Sequence, residues 1–333
     1  MAIIGVGNAL TDILVRIPDE SILNELGVER GGMYLIDRQQ HHRLMDRIGR
    51  LPQSLAAGGS AANMVAGAAR LGTAAAFVGR IGRDSVGEAF RQCQQQKGIE
   101  PLLGLSEATP SGKCISLILP DGERTLLTYL GAASEIDTRH LTAERFAGRK
   151  VCFVEGYLLN SPDVIEAAMQ TARSVGAEVA LDAASFTVIR EFRAYADRLI
   201  DRYVDLLFAN EEEAAALTGA GTPEAALEAL ASRCGTVVVK IGPRGSLLAR
   251  GSERCRIGTV DARPVDKTGA GDLYAAGFLH GYVGGLSLRQ CGEMGAVVSS
   301  KSIEVVGADL PDEVWEAVRP LVDRIEAGER VVG

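Results

Sequence analysis

Five short stretches of this chain gather carboxylates, amides and closely spaced glycines. The first is Asp266-Lys267-Thr268-Gly269-Ala270-Gly271-Asp272, which runs into Leu273-Tyr274-Ala275-Ala276-Gly277-Phe278. Small residues let a backbone come close to a ligand. A helix starting here turns free amides and the positive end of its dipole outward, an arrangement that binds phosphate. Asp272, at the helix start, could take a proton from an attacking hydroxyl; as a plain N-cap it would do no chemistry. The second stretch, Ala57-Gly58-Gly59-Ser60-Ala61-Ala62-Asn63, opens a helix reaching Leu71. Its glycines and an inward Asn63 suit contact with a polyhydroxylated ligand, or else form a tight turn with a buried amide.

The third stretch, Gly5-Val6-Gly7-Asn8-Ala9-Leu10-Thr11-Asp12, starts like a dinucleotide fingerprint, but Leu10 stands where the third glycine is needed. That argues against a dinucleotide oxidoreductase. Asn8 and Asp12 instead lie beyond the end of a first strand, where open α/β sheets bind ligands. An aspartate there can accept bonds from two sugar hydroxyls; a solvated turn residue is the alternative. The fourth, Asn210-Glu211-Glu212-Glu213, reads as a capped helix start with acids complementing the dipole. The fifth, Lys240-Ile241-Gly242-Pro243-Arg244-Gly245, follows a strand and could simply be a hairpin turn. There is no Walker A loop, no His-Glu-x-x-His and no Gly-x-Ser-x-Gly. His41 and His42 fall in a polar helical stretch and are expected to be solvated.

Strands and helices must hold these loops. Apolar runs at Ala2–Val6, Ala75–Gly79, Val151–Val154, Val179–Leu181, Leu206–Ala209 and Thr236–Ile241 predict buried strands. Helical periodicity covers 61–71, 86–97, 163–175, 211–217, 223–232, 272–282, 286–303 and 312–325. Such alternation predicts an α/β fold with a mostly parallel sheet covered on both faces. Two stretches break the pattern: 13–37, and 112–130, which reads as a hairpin turning at Pro120-Asp121-Gly122-Glu123. Together they could form a small lid sheet. The expected division is a large body of residues 1–12, 38–107 and 134–330, and a lid of 13–37 and 108–133.

With 43 acidic against 35 basic residues, the chain carries a net charge of -8, which disfavours nucleic acid as a partner. Six cysteines without a Cys-x-x-Cys pair read as buried reduced thiols. The start, Met1-Ala2-Ile3-Ile4-Gly5, lacks a basic, apolar leader, and no apolar run is long enough for a membrane span. The expectation is a cytoplasmic protein, monomer or homodimer.

Taken together and in this order, the motifs resemble those of the ribokinase-like, or phosphofructokinase-B, family of carbohydrate and nucleoside kinases. The resemblance covers about residues 1–310 and rests on 58–63, on Asp266–Asp272 with Ala275, Ala276 and Gly277, and on Asn210 with Glu213. Within it the adenosine kinases are most similar, through 7–13, 57–63, Ser111-Gly112-Lys113-Cys114, Arg124-Thr125-Leu126, 130–133 and 208–211. The resemblance implies a three-layer α/β/α fold with a β lid, and an ATP- and Mg²⁺-dependent kinase. It implies that Asp272 is the base, that Gly269, Ala270 and Gly271 form the anion hole, and that Arg124 reaches from the lid to the phosphates. Asn8, Asp12, Gly58, Gly59, Ser60 and Asn63 would hold a sugar, and Leu10, Leu35, Cys114 and Tyr157 or Leu158 a base. Asn210 and Glu213 would organise Mg²⁺ through waters, while Lys240, Gly242, Gly245, Thr268 and Ser300 would contact ATP. Carbonyls near Asp266 and Thr268 could hold K⁺, although the Lys267 ammonium opposes it. A free-sugar kinase and a non-catalytic sensor on the same scaffold are the competing expectations.

Overall fold

The computed structural model describes residues 2–332. The chain opens with β1 (Ala2–Val6), β2 (Leu10–Arg16), α1 (Ser21–Leu26), β3 (Met33–Leu35), α2 (Arg38–Ile48) and β4 (Gln53–Gly58). It continues through α3 (Ser60–Arg70), β5 (Ala74–Gly82), α4 (Ser85–Gln96), β6 (Glu100–Ser106), β7 (Gly112–Ile118) and β8 (Arg124–Tyr129). Next come α5 (Ala143–Phe146), β9 (Arg149–Glu155), α6 (Pro162–Ser174), β10 (Glu178–Asp182), α7 (Phe186–Glu191), α8 (Arg193–Tyr203), β11 (Leu206–Asn210), α9 (Glu211–Thr218) and α10 (Pro223–Ala231). The last elements are β12 (Thr236–Lys240), β13 (Ser246–Arg250), β14 (Glu253–Ile257), α11 (Ala270–Val283), α12 (Leu288–Ser302) and α13 (Asp312–Glu326).

Nine strands form the large sheet in the order β14-β13-β12-β11-β10-β9-β1-β5-β6. It is parallel from β12 to β6, and β13 and β14 add an antiparallel edge. Side chains alternate across each strand, and both faces of the central strands are buried. Ile4, Val6, Cys152 and Val154 pack against Ile165 of α6, Leu199 of α8 and Leu217 of α9. On the opposite face Ile3, Phe153 and Phe208 meet Met64 of α3, Phe278 of α11, Met294 of α12 and Trp315 of α13. Phe208 lies between Phe153 and Phe278, with ring centroids 6.4 and 5.3 Å away. Each such buried ring contributes about 2 kcal/mol of transfer free energy. This is the expected three-layer fold.

Five strands form the second sheet, in the order β3-β8-β7-β2-β4. Period-2 alternation in β2 sends Ile13 and Val15 to one face, where Ile22 and Leu23 of α1 and Leu44 and Ile48 of α2 cover them. Leu10 and Asp12 point the other way, into a cleft. The predicted hairpin is β7 with β8, antiparallel, Ile118 opposite Arg124.

Residues 38–58, expected in the large body, belong to this small sheet instead. β4 hydrogen-bonds along the free edge of β2, Leu10 facing Gly58 and Asp12 facing Ala56, and α2 buries its apolar stripe beneath. His41 is likewise buried, not solvated, with its ring 5.7 Å from that of Tyr129. All six cysteines are free. No helix among the described residues is long and apolar enough to cross a membrane.

Candidate active site

A cleft of about 1000 Å³ lies where the carboxyl ends of the parallel strands meet the inner face of the small sheet. Five parallel strands lead to a polar residue that lines it: Asn8 follows β1, Glu155 closes β9, Asp182 closes β10, Asn210 closes β11 and Lys240 closes β12.

Asp272 lies in the first turn of α11 but does not cap it. The cap position is Gly269, at φ 72°, a left-handed conformation that costs glycine little. The Asp272 carboxylate accepts a bond from Ser60 Oγ at 2.7 Å and another from Asn63 Nδ2 at 2.9 Å. Both donors come from the first turn of α3, so two helix starts meet at one carboxylate. Burial pushes the Asp272 carboxyl above its usual range against the pull of Asn63, and the charge of Asp182 adds to the rise. A carboxylate raised in this way is a stronger base than a solvated one. Thr268, Gly269, Ala270 and Gly271 line the cleft beside it.

Asp266 is fully buried behind this loop. Its Oδ1 accepts from the Thr268 amide at 2.9 Å and from Thr268 Oγ1 at 2.7 Å, and its Oδ2 accepts from the Gly307 amide at 2.7 Å. Both oxygens are thus engaged in holding the loop.

Lys240 donates from Nζ to Asp182 Oδ2 at 3.1 Å. The same ammonium presses on the loop, since a β-carbon at Gly271 would lie 2.9 Å from it. Burial lowers the Lys240 pKa, but the charges of Asp182 and Glu213 outweigh it and hold the ammonium above its usual range. Asn210 and Glu213 form a capping box at the start of α9, and the Asn210 amide and Nδ2 each donate to Glu213 at 2.8 Å. Burial pushes Glu213 to about 7, against the opposing charge of Lys240. Gly242 and Gly245 form the turn joining β12 to β13, so the hairpin expectation holds, and both also line the cleft. Ser300 of α12 lines it as well, its Oγ accepting from the Val260 amide at 3.2 Å.

Across the cleft, Asp12 is buried, and no hydrogen bond restrains its carboxylate among the described residues. Burial raises its pKa to about 7, the charge of Asp272 adds to this, and Arg124 opposes it. Gly58 does not line the cleft; it sits behind Asp12, where a β-carbon would overlap the carboxylate. Gly59, at φ 97°, packs against the Asn8 carbonyl and does line it.

Leu10, Leu35, Cys114 and Tyr157 form an apolar wall with Met33, Leu126 and Thr128. Burial pushes the Cys114 thiol up to about 12, so it serves as neutral wall and not as a nucleophile. Leu158 is not part of this wall. It is 1 % exposed and packed in the core, because the 3₁₀ turn Gly156–Asn160 points neighbouring side chains in different directions. Arg124, on β8, reaches back to the loop and donates from Nη1 to the Lys267 carbonyl at 2.7 Å. The Lys267 ammonium lies 3.5 Å from Glu123.

Sequence reasoning missed Glu155 and Asp182. Both stand at the carboxyl end of a correctly predicted apolar strand, Val151–Val154 and Val179–Leu181, and an acid in that position was the available signal. For Mg²⁺, no three His, Cys, Asp or Glu side chains converge among the described residues. Both Glu213 oxygens are engaged by Asn210. The acids here fit an ion that keeps its waters, not one bound directly by the protein.

The chain is 35% identical to an adenosine kinase from Sinorhizobium meliloti, with TM-score 0.91 and 96% of this chain and 98% of that one covered. It is 32% identical to a probable sugar kinase protein from Rhizobium etli, also with TM-score 0.91, and 98% of each chain is covered. An adenosine kinase of Saccharomyces cerevisiae is 28% identical over 92% of this chain and 96% of that protein. Residues 36–315 match the description pfkB family carbohydrate kinase, and the chain is a kinase that belongs to that family.

Proposed function

We propose that this kinase transfers the γ-phosphoryl group of ATP to the 5′-hydroxyl of a purine nucleoside, with Asp272 as general base. One observation carries the reading: Asp272, held by Ser60 and Asn63, lines the same cleft as the start of α11, Asp12 and an apolar wall. A nucleoside needs both a carboxylate for its ribose hydroxyls and apolar room for its base. The relatives named adenosine kinase support the same choice.

In this mechanism Asp12 accepts from the ribose hydroxyls and Asn63 borders the sugar. Asp272 takes the 5′ proton as the phosphoryl group arrives in line. The amides of Gly269, Ala270 and Gly271 stabilise the charge that develops on the transferring group, together with Lys240 and Arg124. Gly242, Gly245, Thr268 and Ser300 border the nucleotide. Mg²⁺, when bound, would neutralise phosphate charge, with Glu213 and Asn210 reaching it through water. The small sheet acts as the lid, and Arg124 is its contact with the phosphate loop. A monovalent cation beside the Asp266 loop would have to use backbone carbonyls.

Phosphorylation of a free sugar is the second reading, consistent with the Rhizobium etli neighbour's description. It would leave the apolar wall without an occupant. Asp272→Asn keeps the shape and removes the base; turnover should fall roughly 10²-fold or more. Near-normal turnover in folded protein would remove Asp272 from this role.

A further inference from the structure

Resting on that reading, we infer that Glu155 is a positioning residue of the acceptor site: its buried carboxylate ties the Asn8 segment to the start of α3 and so sets sugar-binding and base residues in one register. Glu155 is 1 % exposed. Its Oε1 accepts from the Asn8 amide at 2.8 Å and from Asn8 Nδ2 at 2.7 Å. Its Oε2 accepts from the Ala61 amide at 2.9 Å. Three donors from two segments therefore hold the carboxylate in place.

Each tied segment carries part of the site. Asn8 leads through Ala9 and Leu10 to Asp12. Ala61 stands between Ser60 and Asn63, the two donors to Asp272. The start of α3 needs this partner, because its cap residue is Gly59 and no side chain caps it. A free amide at a helix start favours an anion, and Glu155 supplies one from a different strand. The fit is tight on the third side too, since a β-carbon at Gly7 would overlap Oε2.

A carboxylate accepts at both ends, whereas a glutamine accepts at one and donates at the other. Glu155→Gln therefore keeps the shape and opposes N–H to N–H on one of the two segments. Initial rates should be measured with adenosine and ATP, each varied, at 25 °C. The expected result is a KM for adenosine raised roughly 10-fold or more, a reduced kcat, and a KM for ATP within about twofold of wild type. Gly7→Ala, whose β-carbon would overlap the same carboxylate and crowd the Ala61 β-carbon beside it, should reproduce the split. If Glu155→Gln does not fold, Gly7→Ala and Glu155→Asp, which both keep the charge, read the same quantities. A lowered Tm with an unchanged KM for adenosine would reduce Glu155 to a purely structural anchor and overturn the inference. If the wild type ignores every purine nucleoside, the nucleoside reading fails instead, and the same split is then measured with the acceptor it does use.

Discussion

Gly58→Ala separates folding from acceptor binding more cleanly than any change at Asp272, the proposed base. Gly58 pairs with Leu10 at the end of β4, and its backbone is outside the left-handed region, so alanine is conformationally allowed there. The new β-carbon would overlap the Asp12 carboxylate, its carboxyl carbon and both oxygens. These atoms are the far end of a side chain. Asp12 can swing aside at little cost to the strand, but it then leaves the position proposed to meet the sugar. Losing a hydrogen bond to a charged partner costs about 1.5–3 kcal/mol. At 1.4 kcal/mol per tenfold, that corresponds to a KM for the nucleoside raised roughly 10- to 150-fold. The assay is initial velocity with varied nucleoside at saturating ATP, alongside a thermal melt. A KM within twofold of wild type in a protein of unchanged Tm would show that the displaced carboxylate does not bind the acceptor.

Asp12→Asn should stabilise the ligand-free protein in a pH-dependent way. Burial raises the folded pKa of Asp12 to about 7, so the folded state holds this proton more tightly than the unfolded chain. The stabilisation is complete below about pH 4 and is lost as pH rises through about 7. Removing the ionisable group should raise Tm at pH 8 and change it little at pH 4; equal shifts at both pH values would contradict a buried, destabilising carboxylate. Lys240→Met should raise the KM for ATP roughly 10-fold, the scale of one lost charged bond, with little effect on the nucleoside KM. It should also lower Tm, because Asp182 and Glu213 lose their shared cation. Steady-state kinetics with each substrate varied checks it, and a selective loss of nucleoside binding would place Lys240 on the wrong side of the cleft.

Much of the site was legible because its parts are local. Small residues, a helix start and an acid all fall within Asp266–Asp272, so this stretch stands out without any distant partner. Asn210 and Glu213 advertise a capping box by their spacing alone. The central parallel strands showed themselves as short uninterrupted apolar runs, as strands buried on both faces do. What stayed hidden depends on distant pairing. β4 reads Gln-Ser-Leu-Ala-Ala-Gly, with no β-branched residue; the open edge of β2 makes it a strand, not its own propensity. β6 carries Pro101, which an edge strand tolerates and a central one does not. His41 looked solvated because its helix is polar on average, yet its position on the stripe facing Tyr129 buries it. Leu158 and Tyr157 are neighbours that only the 3₁₀ turn tells apart. Glu155 and Asp182 matter through partners tens to hundreds of residues away, such as Asn8 and Lys240.

The central claim is the acceptor, and initial rates of ATP consumption with Mg²⁺ test it most directly, using adenosine, guanosine, inosine, cytidine, ribose and fructose side by side. Fast turnover of a purine nucleoside with slow turnover of both sugars is the predicted result. Turnover confined to a free sugar would contradict the account, because the apolar wall beside Asp12 would then have no base to bind.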